Sequence, residues 1–176
     1  TQDVAMGLRT PQTAAEKIKK KYGCAISDLI DENETIEVEG VGGRKPRAIL
    51  RRALCEVIEP RAEETLALIV KELTQANLMN HLGSGIVLVG GASQLEGMIE
   101  MGEFLSDIPV RRGTPERTGG LTDIIKSPAY ATAVGLLLYG LNQEKHRLAT
   151  QSVDHGLHDV VNGWSRKVKD FFGGAL

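Results

Sequence analysis

Gly85-Ile86-Val87-Leu88-Val89-Gly90-Gly91 decides the fold. Four consecutive apolar, β-favouring residues between glycines describe a strand covered on both faces. Strands of that kind belong to parallel sheets with helical crossovers, so an α/β class is expected. Gly90-Gly91 is followed by Ala92-Ser93 and by a helix expected over Leu95 to Leu105. A pair of glycines lets backbone come close to a ligand because no Cβ intervenes. The carboxyl end of a parallel strand is also where α/β sheets place ligands. Taken alone, such a pair after a strand is more often just a tight turn. Gly97 completes the pattern strand, Gly90-Gly91, Leu95-Glu96-Gly97.

Working outward, Pro109-Val110-Arg111 reads as a short edge strand, and Ser127-Pro128 opens a further helix, apolar through Ala133, Val134, Leu136, Leu137 and Leu138. Upstream, Thr35 to Glu39 alternates strictly, as a half-exposed strand does. Val41-Gly42-Gly43-Arg44-Lys45-Pro46 is turn chemistry. Arg47 to about Asn77 carries a helical pattern interrupted by Pro60, and the cost of an interior proline, about 3 kcal/mol, predicts two helices divided at Glu59-Pro60. The second should bury Ala62, Leu66, Ile69, Val70 and Leu73. An earlier helix passes through Ile18 and stops at Gly23. It starts either at Thr10-Pro11, a cap followed by a first-turn proline, or at Thr13 to Glu16, a capping box.

The 41% hydrophobic content is enough for a packed core, and a formal net charge of −2 gives no general attraction for nucleic acid. Cys24 and Cys55 stand without a CxxC pair or histidines at ligand spacing, so reduced thiols are expected. No apolar run approaches the roughly 20 residues of a membrane span, and the first residues lack the basic start and apolar core of a signal peptide. The absent initiator methionine and the mid-helix character of Val4, Ala5 and Leu8 suggest a piece of a longer protein. Arg44, Lys45, Arg47, Arg51 and Arg52 form the densest basic patch. Salt bridges to nearby acids would account for it, and an anion or protein site is the alternative.

Several stretches carry a resemblance. The strand with Gly90-Gly91 and Gly97 resembles the adenosine motif of the actin, chaperone-ATPase and sugar-kinase superfamily. Ala15-Glu16-Lys17-Ile18-Lys19 resembles the helix that meets ribose and adenine in bacterial actins, and Ser127 to Gly135 the second connecting helix. Val41-Gly42-Gly43-Arg44, Glu56 to Arg61 and Gly120-Leu121-Thr122-Asp123 resemble the FtsA family of bacterial cell-division proteins.

That resemblance implies an actin-like (ribonuclease-H-like) second large domain with an inserted small α/β subdomain, plus a C-terminal amphipathic helix. Residues 1–10 and 83–141 would form the large subdomain and 11–82 the insertion with its adenosine-side helix. Residues 142–158 would be linker and 159–176 the membrane helix. By the same resemblance Gly90 and Gly91 pack against adenosine, Glu16 bonds the ribose hydroxyls, and Lys19 and Lys20 flank the adenine. For Glu16 a capping role, and for the lysines a solvated face, stay open. The implied cofactor is ATP, as Mg-ATP in the full-length protein. The superfamily's acidic and glycine-rich phosphate loops have no counterpart here, and neither a P-loop nor a magnesium cluster is seen. No catalytic residue and no metal ligand are therefore expected, and at most weak ATPase. The implied partners are FtsZ at the inserted subdomain, further copies of the same protein, and an anionic membrane surface, at the cytoplasmic face of the plasma membrane where division occurs. Another actin-fold ATPase or sugar kinase, or a pilus-assembly actin homologue, is the alternative.

The tail supports the membrane reading from its own residues. On a helical projection Phe171, Trp164, Val168, Val161 and Phe172 fall within an arc of roughly 100°, counted from Val160 at about 100° per residue. Arg166 and Lys169 lie on the rest of the circle and Lys167 borders the stripe, the interfacial-helix pattern. Burying these apolar groups yields roughly 10 kcal/mol after partial immersion, against about 1 kcal/mol per residue for ordering the helix. One tail is marginal, and several on one polymer hold firmly. Docking of the helix on its own domain is the alternative.

Overall fold

The structure is a computed structural model that describes residues 1–116 and 125–145. It divides into two compact units, Thr1–Thr132 and Ala133–Leu176.

In the first unit α1 (Gln2–Gly7) leads into α2 (Gln12–Tyr22), then the hairpin β1 (Thr35–Val38) and β2 (Arg47–Leu50), then the long α3 (Arg51–Gln75). After these come β3 (Ile86–Leu88), α4 (Met98–Ser106) and β4 (Val110–Arg112). β1 and β2 pair antiparallel from Thr35↔Leu50 to Val38↔Arg47. β3 and β4 pair parallel, Ile86↔Val110 to Leu88↔Arg112, with α4 as the crossover. The α/β expectation and the edge strand at Val110 hold. The strict alternation at Thr35–Val38 also holds, since Ile36 and Val38 are buried while Thr35 and Glu37 face water.

One core gathers Val4 and Leu8 of α1, Ala15 and Ile18 of α2, Ile36 and Val38 of β1, and Leu54 and Ile58 of α3. Each large aliphatic side chain so buried contributes about 1.5–3 kcal/mol. Val4 and Leu8 thus pack with residues of the 11–82 segment. A second cluster joins Ala25, Ala62 and Leu66 to Met98 and Met101 of α4.

Four readings are corrected. Arg47–Leu50 is a strand, not the start of a helix, because it closes the hairpin through the Gly42-Gly43 turn, both glycines having positive φ. Helix α3 runs unbroken through Pro60. That proline is exposed, so the carbonyl it leaves unpaired faces water, while Leu54, Cys55, Ile58, Ala62 and Leu66 on the packed face hold the helix together. Of its expected buried residues, Ile69 is exposed and Val70 and Leu73 are half-buried. Third, β3 is not covered on both faces: Val87 is 43% and Val89 52% exposed. Helix α2 begins at Gln12 with Pro11 as the flanking residue and no side-chain cap, so neither proposed capping device operates.

In the second unit the described residues continue a helix, α5, that spans 131–145. Ser127 caps the preceding turn Pro128–Tyr130 by accepting from the Ala129 N–H at 3.4 Å, as Ser-Pro predicts. Leu136, Leu137, Tyr139 and Leu141 of α5 are exposed. Residues 142–145, expected in the linker, are helical. The rest of that linker, the tail residues Val160 to Phe172 and the Gly120–Asp123 motif lie outside the described residues. No helix among the described residues is long and apolar enough to cross a membrane.

Candidate functional site

Helix α2 exposes a polar face opposite the one that buries Ala14, Ala15 and Ile18. Its spacing puts Glu16, Lys19 and Lys20 together at i, i+3 and i+4. The Lys19 Nζ lies 2.6 Å from Glu16 Oε2 and the Lys20 Nζ 3.3 Å from Oε1. The Thr1 hydroxyl donates to Glu16 Oε2 and accepts from Lys19 Nζ at 2.8 Å. Hydrogen bonding from Lys19, then from Thr1, holds the Glu16 carboxyl down to about 2. It is a fixed, ionised acceptor at neutral pH, not a helix cap.

At the end of β3 the chain turns at Gly90, with φ of 94°, into a 3-10 turn over Gly91–Gln94. A Cβ at Gly90 or Gly91 would meet nothing within 4 Å, so the backbone here borders open space. The Gly90 N–H donates to the Pro128 carbonyl at 2.9 Å, and Gln94 Nε2 donates to Ser127 Oγ at 3.0 Å. These bonds place the Ser-Pro turn beside the glycine turn. Buried Ser93 donates to the Gly90 carbonyl at 2.8 Å and fixes the turn from within.

Between these elements lies a cleft of about 620 Å³, within the range of about 300–1,000 Å³ that small-molecule sites occupy. Glu16, Lys19, Lys20 and Gly91 all line it, while Gly90 stands next to it in the turn without lining it. Its apolar side comes from Ile58, Ala62, Leu95 and Met98. Four of the five residues expected at an adenosine site are therefore gathered from α2 and from the β3–α4 turn. Asp3 and Arg61 also line the cleft and were not among them. They are 58 positions apart, so no local pattern could have joined them.

The end of α2 is tied to the glycine turn by a second set of contacts. Ala25 N–H donates to the Glu96 carbonyl at 2.7 Å, within a parallel bridge between Cys24 and Glu96. Arg51 donates to the Tyr22 carbonyl at 2.8 Å, to Glu34 at 2.9 Å and to Glu96 at 2.6 Å. Arg52 meets Asp28 at 2.7 Å and Glu56 at 3.4 Å, and Arg47 donates to the Leu8 carbonyl at 2.7 Å. The basic patch is thus largely consumed by acids and carbonyls of this chain. Cys24 and Cys55 are free and buried, and burial pushes both thiols up.

Against known proteins, residues 1–135 match the family model described as cell division protein FtsA. The relatives carry the same name. That of Pseudomonas aeruginosa is 46% identical over 82% of this chain and 34% of its own length. That of Escherichia coli strain K12 is 39% identical over 97% of this chain and 42% of its own. That of Neisseria meningitidis is 41% identical over 78% of this chain and 33% of its own. The chain spans 33–42% of the length of these curated relatives.

Proposed function

Because this chain belongs to the FtsA family of cell-division proteins, we propose that it is the C-terminal part of an actin-like, ATP-binding membrane tether that anchors the FtsZ ring to the cytoplasmic membrane. The observation that carries this reading is the cleft in which Glu16, Lys19 and Lys20 share a wall with the Gly91 turn. An ionised carboxylate accepts from the two hydroxyls of a ribose, and the lysine stems give apolar cover to a flat base. Gly91 admits the nucleoside against bare backbone. Phosphates and Mg²⁺ would be held by loops of the preceding half of the protein. This chain then has no catalytic carboxylate of its own, and any ATPase activity is weak.

In the same reading the inserted subdomain, residues 11–82, holds the FtsZ C-terminal peptide, copies associate into actin-like polymers, and the Val160–Phe172 stripe lies on anionic lipid at the division site. Polymer formation suits the tail's marginal energetics, since linked tails bind by multivalency.

The nucleoside half of this proposal is tested by titrating the chain with adenosine and with ATP while following backbone amide resonances. The amides of Gly23, Gly91 and Ala92 should move, with dissociation constants for the two ligands within about threefold because neither gains a phosphate contact. Glu16→Gln should weaken both. Unmoved cleft amides at millimolar adenosine would refute the reading.

A further inference from the structure

Arg61 enters the cleft from α3, and every nitrogen of its guanidinium is engaged. Nε donates to Asp3 Oδ2 at 3.0 Å and Nη2 to Asp3 Oδ1 at 3.1 Å, while Nη1 donates to Glu64 Oε2 at 2.6 Å. The two bonds to Asp3 occupy one edge of the planar group and the bond to Glu64 holds it from another side, so together they fix its plane. The side chain nevertheless remains 60% exposed. Among the described residues, two of its five N–H groups stay free at the outer end, and its flat face is open as well.

Charge decides what that face suits. Asp3 and Glu64 neutralise the Arg61 guanidinium, so its charge offers a phosphate little attraction. Glu16 with Lys19 and Lys20 leaves the α2 side locally positive. A neutral planar ring belongs beside Arg61, and Ala62, Leu95 and Met98 in the same lining supply apolar surface for it. Guanidinium faces stack on aromatic rings, whereas an ammonium has no face to stack.

We propose that Arg61, held flat by Asp3 and Glu64, is the stacking platform for the nucleobase and favours the larger purine ring over a pyrimidine. This rests on the adenosine reading of the cleft, and it adds a binding residue that neither the Gly90-Gly91 pattern nor the α2 motif contains.

The test titrates the chain and four variants with adenosine, cytidine and methyl riboside, following amide shifts. Loss of an exposed guanidinium–ring contact should weaken adenosine binding about three- to fivefold in Arg61→Ala. Arg61→Lys should be equally weak, because it restores charge without a plane. Arg61→Trp should bind adenosine within about twofold of the parent. Asp3→Asn, which frees the plane, should fall between. Methyl riboside, lacking a base, should be indifferent to all four, and circular dichroism should confirm unchanged folding. Full rescue by Arg61→Lys, or parental adenosine affinity in Arg61→Ala, would overturn the stacking role and leave the adenosine reading standing. Absence of adenosine binding by the parent chain would remove both.

Discussion

Replacing Arg51 with methionine should cost the domain about 3 kcal/mol, and the figure can be built contact by contact. Arg51 is the first residue of α3 and its side chain is only 16% exposed. Methionine keeps the apolar stem and removes three donors. The bond to the Tyr22 carbonyl is a charged-to-neutral hydrogen bond inside the packed region, worth about 1.5–3 kcal/mol. Glu34 and Glu96 are 39% and 54% exposed, so both regain water when the cation leaves. Each of those pairs then contributes only about 0.2–1 kcal/mol. Urea unfolding followed by circular dichroism is the assay. With a slope of about 2 kcal/mol/M, the midpoint should drop by about 1.5 M. Glu96→Gln and Glu34→Gln should each cost under about 1 kcal/mol. A loss below about 0.5 kcal/mol for Arg51→Met, or one matched by Glu96→Gln alone, would refute this division between carbonyl and carboxylates.

Gly85 and Gly91 should respond oppositely to alanine. At Gly85 φ is 82° and an added Cβ would collide with the Pro109 carbonyl oxygen at the start of the β3–β4 pair, so about 2–3 kcal/mol should be lost. At Gly91 the space is open, and Gly91→Ala should leave the melting midpoint unchanged while weakening nucleoside binding. Equal destabilisation of the two would contradict the geometry. Glu16 should make acid stability pH-dependent. Its carboxyl, held to about 2 by Lys19 and Thr1, stabilises the fold above the unfolded value of about 4.3, and this is lost as pH falls towards 2. For a carboxylate 35% exposed the contribution is screened to about 1 kcal/mol. Wild type should therefore lead Glu16→Gln in urea stability at pH 7 and lose most of that lead by about pH 2.5, and a constant gap across the range would exclude the mechanism. Trp164→Glu should abolish pelleting with anionic vesicles without changing the circular dichroism of the domain, and undiminished pelleting would sink the tether.

What was legible in the sequence was what chemistry writes locally. Glu16, Lys19 and Lys20 fall on one face by helical spacing, and a strand followed by Gly90-Gly91 announces open backbone. The cleft needed only the fold to bring those two segments together. Long-range geometry decided the rest. Arg47–Leu50 carries no alternation strong enough to overrule the helical pattern that follows it, and only pairing with β1 makes it a strand. Pro60 breaks a helix in isolation, but here the neighbours of Ile58 and Ala62 stabilise the packed face by more than one lost hydrogen bond on the wet face costs. The Asp3–Arg61 pair spans 58 positions and has no local signature at all. Strand β3 is the informative exception. Its four-residue apolar run is the pattern of a doubly covered strand, yet Val87 and Val89 are about half exposed in this chain. A sequence pattern records the environment in which a residue functions. On the proposed reading that environment includes the preceding half of the protein, whose phosphate loops close the nucleotide site from the other side. On the same reading that half would also cover the face of β3 that Val87 leaves exposed.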